Sequence, residues 1–173
     1  MTQHTSIRPC TPQDLDVLRD LAEATFTETF AQLNNPRDFQ AYLKTAFSLE
    51  KVRSELSNPD TEFYLLMLDG QYADYLKLNF GSAQSDLQDV QSLEIERIYV
   101  LSQYQGLGLG RHLFDLALSR AKARSLSYIW LGVWEKNEKA IGFYKMQGFY
   151  EFSSHVFQMG EDLQTDKLMR LDI

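Results

Sequence analysis

Apolar positions along this chain change period several times, and each change predicts an element. "TSIRPC" (5–10) reads as a short first strand. Thr11, Pro12 and Asp14 then supply a cap, a first-turn proline and an acidic third position for a helix. Leu15, Leu18, Leu21 and Ala22 recur at helical spacing, with Phe26 and Phe30 continuing the stripe until "NNP" (34–36) ends it. A second helix is predicted from about Asp38 to Ala46, and Ser48 caps a third in "LEKVRSELSN".

The period then drops to two. In "EFYLLMLDGQYADYLKLNF" two aromatic-rich runs flank Asp69-Gly70, a strong hairpin signal. "GSAQSDLQDVQS" has no apolar periodicity and reads as a loop. "LEIERIYVL" is a strand, and the following helix carries Leu109, Leu113, Leu116, Ala117 and Ala121 on one face. "YIWLGVW" is continuously apolar, the mark of a central strand covered on both sides. "NEKAIGFYKMQG" reads as a short helix closed by Gly148, and "FYEFSSHVFQM" and "TDKLMRLDI" complete the sheet. The pattern is α/β, without internal repeat or linker, and its 173 residues predict a single domain over 1–173.

One stretch breaks the economy of the rest. "SQYQGLGLGRHLF" (102–114) places Gly106, Gly108 and Gly110 between a strand and a helix, where each glycine loses about 1 kcal/mol of helix propensity relative to alanine. The string GxxxxGK[ST] is absent. A dinucleotide fingerprint fails too: the sixth position from Gly106 is Arg111, and no acidic residue ends a strand about 20 residues on. What remains is Gln105-x-x-Gly108-x-Gly110 leading into a helix. Its successive N–H groups and the positive helix end would form an anion cradle fit for a pyrophosphate, with no metal required.

Composition narrows the partners. The net charge of −7 argues against a nucleic-acid binder. No apolar run reaches the roughly 20 residues that span a bilayer, and the first ten residues lack the apolar core of a signal peptide. Cys10 is the only cysteine, so no intrachain disulfide can form. A reducing, cytoplasmic setting is expected, with no nucleic-acid and no membrane partner.

"IERIYVLSQYQGLGLGRHLF" resembles motif A of the GNAT superfamily of acetyl-CoA-dependent N-acetyltransferases. "WEKNEKAIGFYKMQGF" is similar to motif B of that superfamily, through Asn137, Ala140, Phe143, Tyr144 and Gly148-Phe149. Within it, "EIERIYV", "WLGVWEKNEKAI" and "QTDKLM" look like the PaiA-type polyamine acetyltransferases. The resemblance implies a mixed, mostly antiparallel seven-stranded sheet with helices on both faces and a V-shaped split between central strands. It implies acetyl-CoA as cosubstrate and a primary amine, such as spermidine, as acceptor. Acetylation of a protein N-terminus or lysine, and a non-catalytic acyl-CoA-binding regulator, stay open as alternatives. So do monomer and homodimer.

The chemistry sets demands. An amine with a lysine-like pKa of about 10.4 is mostly protonated at neutral pH, a handicap of about 4.6 kcal/mol. A proton must leave the amine, and another must reach the departing thiolate. Glu94 and Glu96 lie two apart on one strand and share a face, so either could take the proton or hold a cation. The plainer reading gives that face to solvent, with Ile98 and Val100 covered separately. Resemblance favours Glu96 as base or proton-wire member and Tyr144 as the acid beside the sulfur. It also assigns coenzyme contacts to the backbone of Ile98, Tyr99 and Val100, to the cradle Gln105, Gly106, Leu107, Gly108, Leu109, Gly110 and Arg111, and to Asn137. In the family the first two helices cover the acceptor, which brings in Phe26 or Phe30. Asp74 stands where relatives usually carry glycine, either near the acceptor channel or facing water. His4, His112 and His155 read as structural, Trp130 as core, and Trp134 as core or cleft wall. No His, Cys or carboxylate group shows metal-ligand spacing.

Overall fold

The computed structural model describes residues 3–173. Seven strands form one sheet: β1 (Thr5–Pro9), β2 (Thr61–Leu68), β3 (Gln71–Phe80), β4 (Ser92–Val100), β5 (Tyr128–Trp134), β6 (Tyr150–Met159) and β7 (Asp162–Asp172). Their spatial order is β1-β2-β3-β4-β5-β7-β6, and only the β4–β5 pairing is parallel. The helices are α1 (Leu15–Phe30), α2 (Pro36–Ala46), α3 (Leu49–Leu56), α4 (Leu109–Ala123) and α5 (Glu138–Met146). The expected mixed sheet with helices on both faces is what the chain builds. None of these helices is long and apolar enough to cross a membrane.

Local signals start and stop these elements as their chemistry requires. The Asp14 carboxylate accepts from the Thr11 N–H at 2.7 Å and from the Thr11 hydroxyl at 3.0 Å, but Pro12–Asp14 forms a 3₁₀ turn and α1 starts only at Leu15. Asn35 caps α2 through Arg37 N–H at 3.0 Å, so that helix opens at Pro36, two residues before the predicted start. Ser48 caps α3 through Lys51 N–H at 3.2 Å. Asp69 and Gly70 have φ of 49° and 79°, the left-handed pair that a tight hairpin needs.

Two cores form, one on each face. α4 and α5 press Leu109, Leu113, Phe114, Ala117 and Ile141 against Leu76, Leu78, Leu93, Ile95, Ile129 and Leu131. On the other face, Leu18, Phe26, Phe39, Leu43, Phe47 and Val52 from α1–α3 and the turn after α2 cover Phe63, Leu65 and Tyr75. Beyond those three helices that second face is covered by the polar segment 81–91, which lies over Tyr128, Trp130 and Leu168 through Leu87. It is pinned by Gln84, whose Oε1 accepts from Trp130 Nε1 at 2.6 Å and from Ser92 Oγ at 2.7 Å.

A bulge in β4 changes the expected alternation. Leu78 pairs with Ile95 and Lys77 with Arg97, leaving Glu96 as the extra residue. Leu93 and Ile95 pack under α4, and so do Ile98 and Val100, although their parity is opposite. Glu94, Glu96, Arg97 and Tyr99 therefore all belong to the face that α1–α3 cover. Strict period-two reading placed Ile98 and Val100 with the glutamates; the bulge moves them to the opposite core. The solvent-facing reading of the Glu94 face is overturned as well, since Glu94 is only 2% exposed.

Candidate functional site

β4 and β5 pair only from Ser92 to Glu94 against Tyr128 to Trp130. Beyond Glu94 the two strands part, and the V opens into a cavity of about 890 Å³. β4 borders it with Ile98, Tyr99 and Val100, whose backbone edge β5 does not pair.

The glycine loop has the backbone conformation that its sequence suggests. Gly106 (φ 80°) and Gly108 (φ 77°) are left-handed, and a β-carbon on either would touch nothing within 4 Å. Backbone conformation, not crowding, demands glycine there. Gly110 is different: its β-carbon would meet the Phe143 ring at 3.7 Å, an ordinary contact. The amides of Gly106, Leu107, Gly108, Leu109 and Gly110 donate to no backbone acceptor among the described residues. They stand at the N-terminus of a 15-residue helix, where the positive end of the helix dipole favours negative charge. Gln105 ties the loop down, donating to Val100 O at 3.1 Å and accepting from Lys139 Nζ at 2.6 Å. The Leu107 side chain points away, 45% exposed and outside the cavity wall. The Arg111 guanidinium runs along α4 to Asp115 at 2.8 Å and across to Gln147 at 2.5 Å.

α5 supplies the next wall. Asn137 caps it by accepting from Ala140 N–H at 3.2 Å, and it borders the same cavity. Tyr144 also borders it, 8% exposed, with its ring centroid 5.4 Å from that of Phe143 and 5.7 Å from that of Phe149. Burial pushes its phenol well above the ordinary range, so it holds its proton. Asp74, on β3, does not border the cavity. It is fully buried rather than facing water, one carboxylate oxygen accepts from Tyr75 N–H at 2.6 Å, and the other has no partner. Burial raises its pKa well above the usual carboxylate value.

The other half of the cavity is aromatic and acidic. Phe26, Phe30, Tyr42 and Tyr99 pack edge and face, and the Phe30 and Trp134 centroids are 6.1 Å apart. Trp134 is thus both core and cleft wall. Glu94 accepts from Ser85 N–H at 2.8 Å, from the Ser85 hydroxyl, and from Asn79 Nδ2 at 3.0 Å. Burial raises its pKa against those bonds. Glu96 accepts from Asn79 Nδ2 at 2.6 Å and pairs with the Lys77 ammonium at 2.6 Å. Burial opposes its charge, but the Lys77 and Arg97 cations prevail and hold its pKa below the ordinary value.

Of the residues assigned a site role from sequence, all but Leu107 border this one cavity, and Asp74 does not border it. Residues assigned no site role from sequence also border it, among them Ser85, Asp86, Arg97, His155 and Asp166. His155, read as structural, is bonded to Asp86, 69 positions away. No local pattern links such pairs. Segment 81–91, read only as a loop, is a wall of the site. Among the described residues no cluster of three or more His, Cys, Asp or Glu is arranged to hold a metal.

Known proteins match this architecture. An N-acetyltransferase of Lactobacillus delbrueckii subsp. lactis, itself uncharacterized, is 41% identical, over 91% of each chain. A spermidine N(1)-acetyltransferase of Thermoplasma acidophilum is 24% identical, over 83% of this chain and 86% of its own. Among solved structures, the PaiA N-acetyltransferase from Thermoplasma acidophilum in complex with coenzyme A superposes with a TM-score of 0.80. That likeness is at 21% identity and covers 98% of this chain and 99% of the other. The model of the acetyltransferase (GNAT) family matches residues 15–149, and the chain belongs to that family.

Proposed function

We propose that this acetyltransferase moves an acetyl group from acetyl-CoA to a primary amine, with a polyamine such as spermidine as the acceptor. The carrying observation is the division of the cavity. One half offers five unpaired amides to an anion; the other lines an aromatic pocket with Asp86, Glu94, Glu96 and Asp166. An anionic coenzyme suits the first half and a polycation the second. The solved relative with coenzyme A and the spermidine-acetylating relative support the same pairing.

Acetyl-CoA supplies the activated acyl group. The N–H groups from Gly106 to Gly110 would hold its diphosphate, with Arg111 nearby to add charge. The free β4 edge at Ile98, Tyr99 and Val100, together with Asn137, would take the amides of the pantetheine arm. Tyr144 would give a proton to the leaving sulfur. Glu96 carries a revised role. Its ion pair with Lys77 makes it a weak base, so it serves better as a fixed negative charge that draws the ammonium inward, with Glu94 and Phe30 beside it. The acceptor is a small molecule in this reading.

Release of free thiol from acetyl-CoA, measured over a panel of amines and peptides, tests the reading. Turnover on spermidine above simple monoamines is expected. Turnover only on peptides would replace the acceptor with a protein, and coenzyme binding without turnover on any amine would leave a binding protein. The cradle has its own test. A β-branched residue is a steric outlier at the φ of 77° that Gly108 adopts. Gly108→Val should therefore weaken coenzyme binding by about tenfold, equivalent to about 1.4 kcal/mol of backbone rearrangement. Gly110→Ala, whose new carbon makes only ordinary contacts, should change it by less than about threefold. Titration calorimetry with coenzyme A reads both.

A further inference from the structure

The geometry points to His155 as the group that removes the proton from the acceptor ammonium, with Asp86 fixing its tautomer and Asp166 stabilising the imidazolium that forms. This assignment rests on the amine-acceptor reading above.

Three strands put the imidazole in place. Trp134 on β5, Asp166 on β7 and His155 on β6 lie in register across the sheet, one row on the acceptor face. Segment 81–91 folds over that row and brings Asp86 within 2.7 Å of His155 Nδ1. The other ring nitrogen, Nε2, is 3.3 Å from Asp166 Oδ2. A carboxylate only accepts, so the tight contact at Nδ1 places a hydrogen there. Nε2 also faces a carboxylate, but its contact is the longer and weaker of the two, so when the ring is neutral the hydrogen stays on Nδ1 and the lone pair is on Nε2. That is the arrangement by which a carboxylate orients a histidine base in hydrolytic triads.

The space beside the ring is kept open by an absence. Gly132 interrupts an otherwise bulky, buried strand on the same face. A β-carbon there would lie 3.8 Å from His155 Cε1 and 3.9 Å from Asp166 Oδ2. Glycine inside a strand is unfavourable, and it often marks where a ligand approaches the backbone. Here it leaves floor between the imidazole and the acidic side chain.

The alternatives in the cavity are already engaged. Glu96 is held in its ion pair with Lys77, which lowers its basicity, and Glu94 is held by three hydrogen bonds from Ser85 and Asn79. Imidazoles as a class change charge in the window of about pH 5–8, where a carboxylate is a far weaker base. An exit for the proton also exists: the His155 side chain is 32% exposed.

The protons balance. The ammonium gives one proton to His155 Nε2, and the imidazolium returns that proton from Nε2 to solvent, which leaves the Nδ1 hydrogen bond to Asp86 in place. The amine nitrogen bonds to the thioester carbonyl carbon and the carbon–sulfur bond breaks. The second proton lost from nitrogen balances the one that Tyr144 gives to sulfur. One proton is released per turnover.

The charged and titratable groups that face the ring are Asp86 from segment 81–91 and Asp166 from β7, with Tyr42 of α2 and Glu94, Glu96 and Arg97 of β4 bordering the same cavity. Lys167 of β7 is occupied by Glu151 at 3.0 Å.

His155→Gln tests this, because glutamine can still donate to Asp86 and keep the segment pinned, but it accepts no proton. At pH 7 the variant should lose about 10²–10⁴-fold in kcat/KM. The rising acid limb of its pH profile should vanish, with coenzyme affinity and thermal midpoint retained. Asp166→Asn gives a second reading: without the neighbouring carboxylate, imidazolium is less stable, so the limb should move to lower pH. His155→Gln with near-native kcat/KM and an intact limb would overturn the assignment while leaving amine acetylation standing. So would an Asp166→Asn limb that does not move. Wild-type protein inactive on every amine would overturn both readings together.

Discussion

Tyr144→Phe is expected to lower kcat by about 10²–10⁴-fold, the usual worth of a positioned general acid. Coenzyme affinity should stay within about twofold, since a phenol that waits for charge on sulfur contributes little to ground-state binding. The substitution removes one oxygen from a ring wedged between Phe143 and Phe149, so packing is preserved. Burial holds the phenol protonated across the working pH range. A higher phenol pKa would weaken it as an acid in water. The same dry wall raises the proton affinity of a thiolate in parallel, so the proton still moves towards sulfur. Stopped-flow thiol release and calorimetry on one preparation separate the two quantities. Equal losses in rate and affinity would remove the acid role and leave Tyr144 as a packing residue.

The second large effect is on stability. Lys77→Met should destabilise the fold by about 3–5 kcal/mol, the cost of breaking a buried ion pair from one side. The Lys77 side chain is 4% exposed, 2.6 Å from Glu96 and 3.1 Å from Glu55. The Glu55 oxygen it touches has no hydrogen-bond partner. Methionine fills the stem but abandons two carboxylates. The pH dependence has a definite sign. Glu96 has a folded-state pKa below its ordinary value, so its ion pair contributes stability above that value and loses it as pH falls through the folded pKa. In the variant, burial acts on Glu96 with Arg97 as its remaining nearby cation. The deficit should therefore be greatest near neutrality and shrink as pH falls towards about 4, where glutamates protonate. Urea midpoints at several pH values measure it. A loss under about 1 kcal/mol, constant with pH, would show that the pair behaves like an exposed one.

Lys77 also illustrates what a linear reading misses. In "YADYLKLNF" it looks like the polar member of an alternating strand, bound for water. In the fold it is the buried cation that sets the charge of Glu96. The sequence could not report this, because Glu55 is 22 positions away on a helix whose packing angle no local pattern encodes. The β4 bulge belongs to the same class. "LEIERIYVL" alternates cleanly as text, yet one extra residue at Glu96 sends Ile98 and Val100 to the opposite core. Asp74 is a third case: its burial follows from β3 being covered on both faces, a property of the sheet and not of its neighbours in the chain.

What was legible locally was legible for local reasons. The cap at Ser48, the Asp69-Gly70 turn and the left-handed Gly106 and Gly108 are each specified within a few residues, because backbone dihedrals and first-turn hydrogen bonds reach no further. The glycine loop was therefore readable from its own string of letters. The acceptor half was readable only in part, through Glu94, Glu96, Phe26 and Phe30. It is assembled from α1, α2, segment 81–91, β4, β5, β6 and β7, and side chains such as Asp86 and His155 acquire a chemical meaning only when the sheet order sets them 2.7 Å apart. Dihedral preference is encoded along the chain. Proximity between distant side chains is created by burial and strand register, and those exist only once the chain has folded.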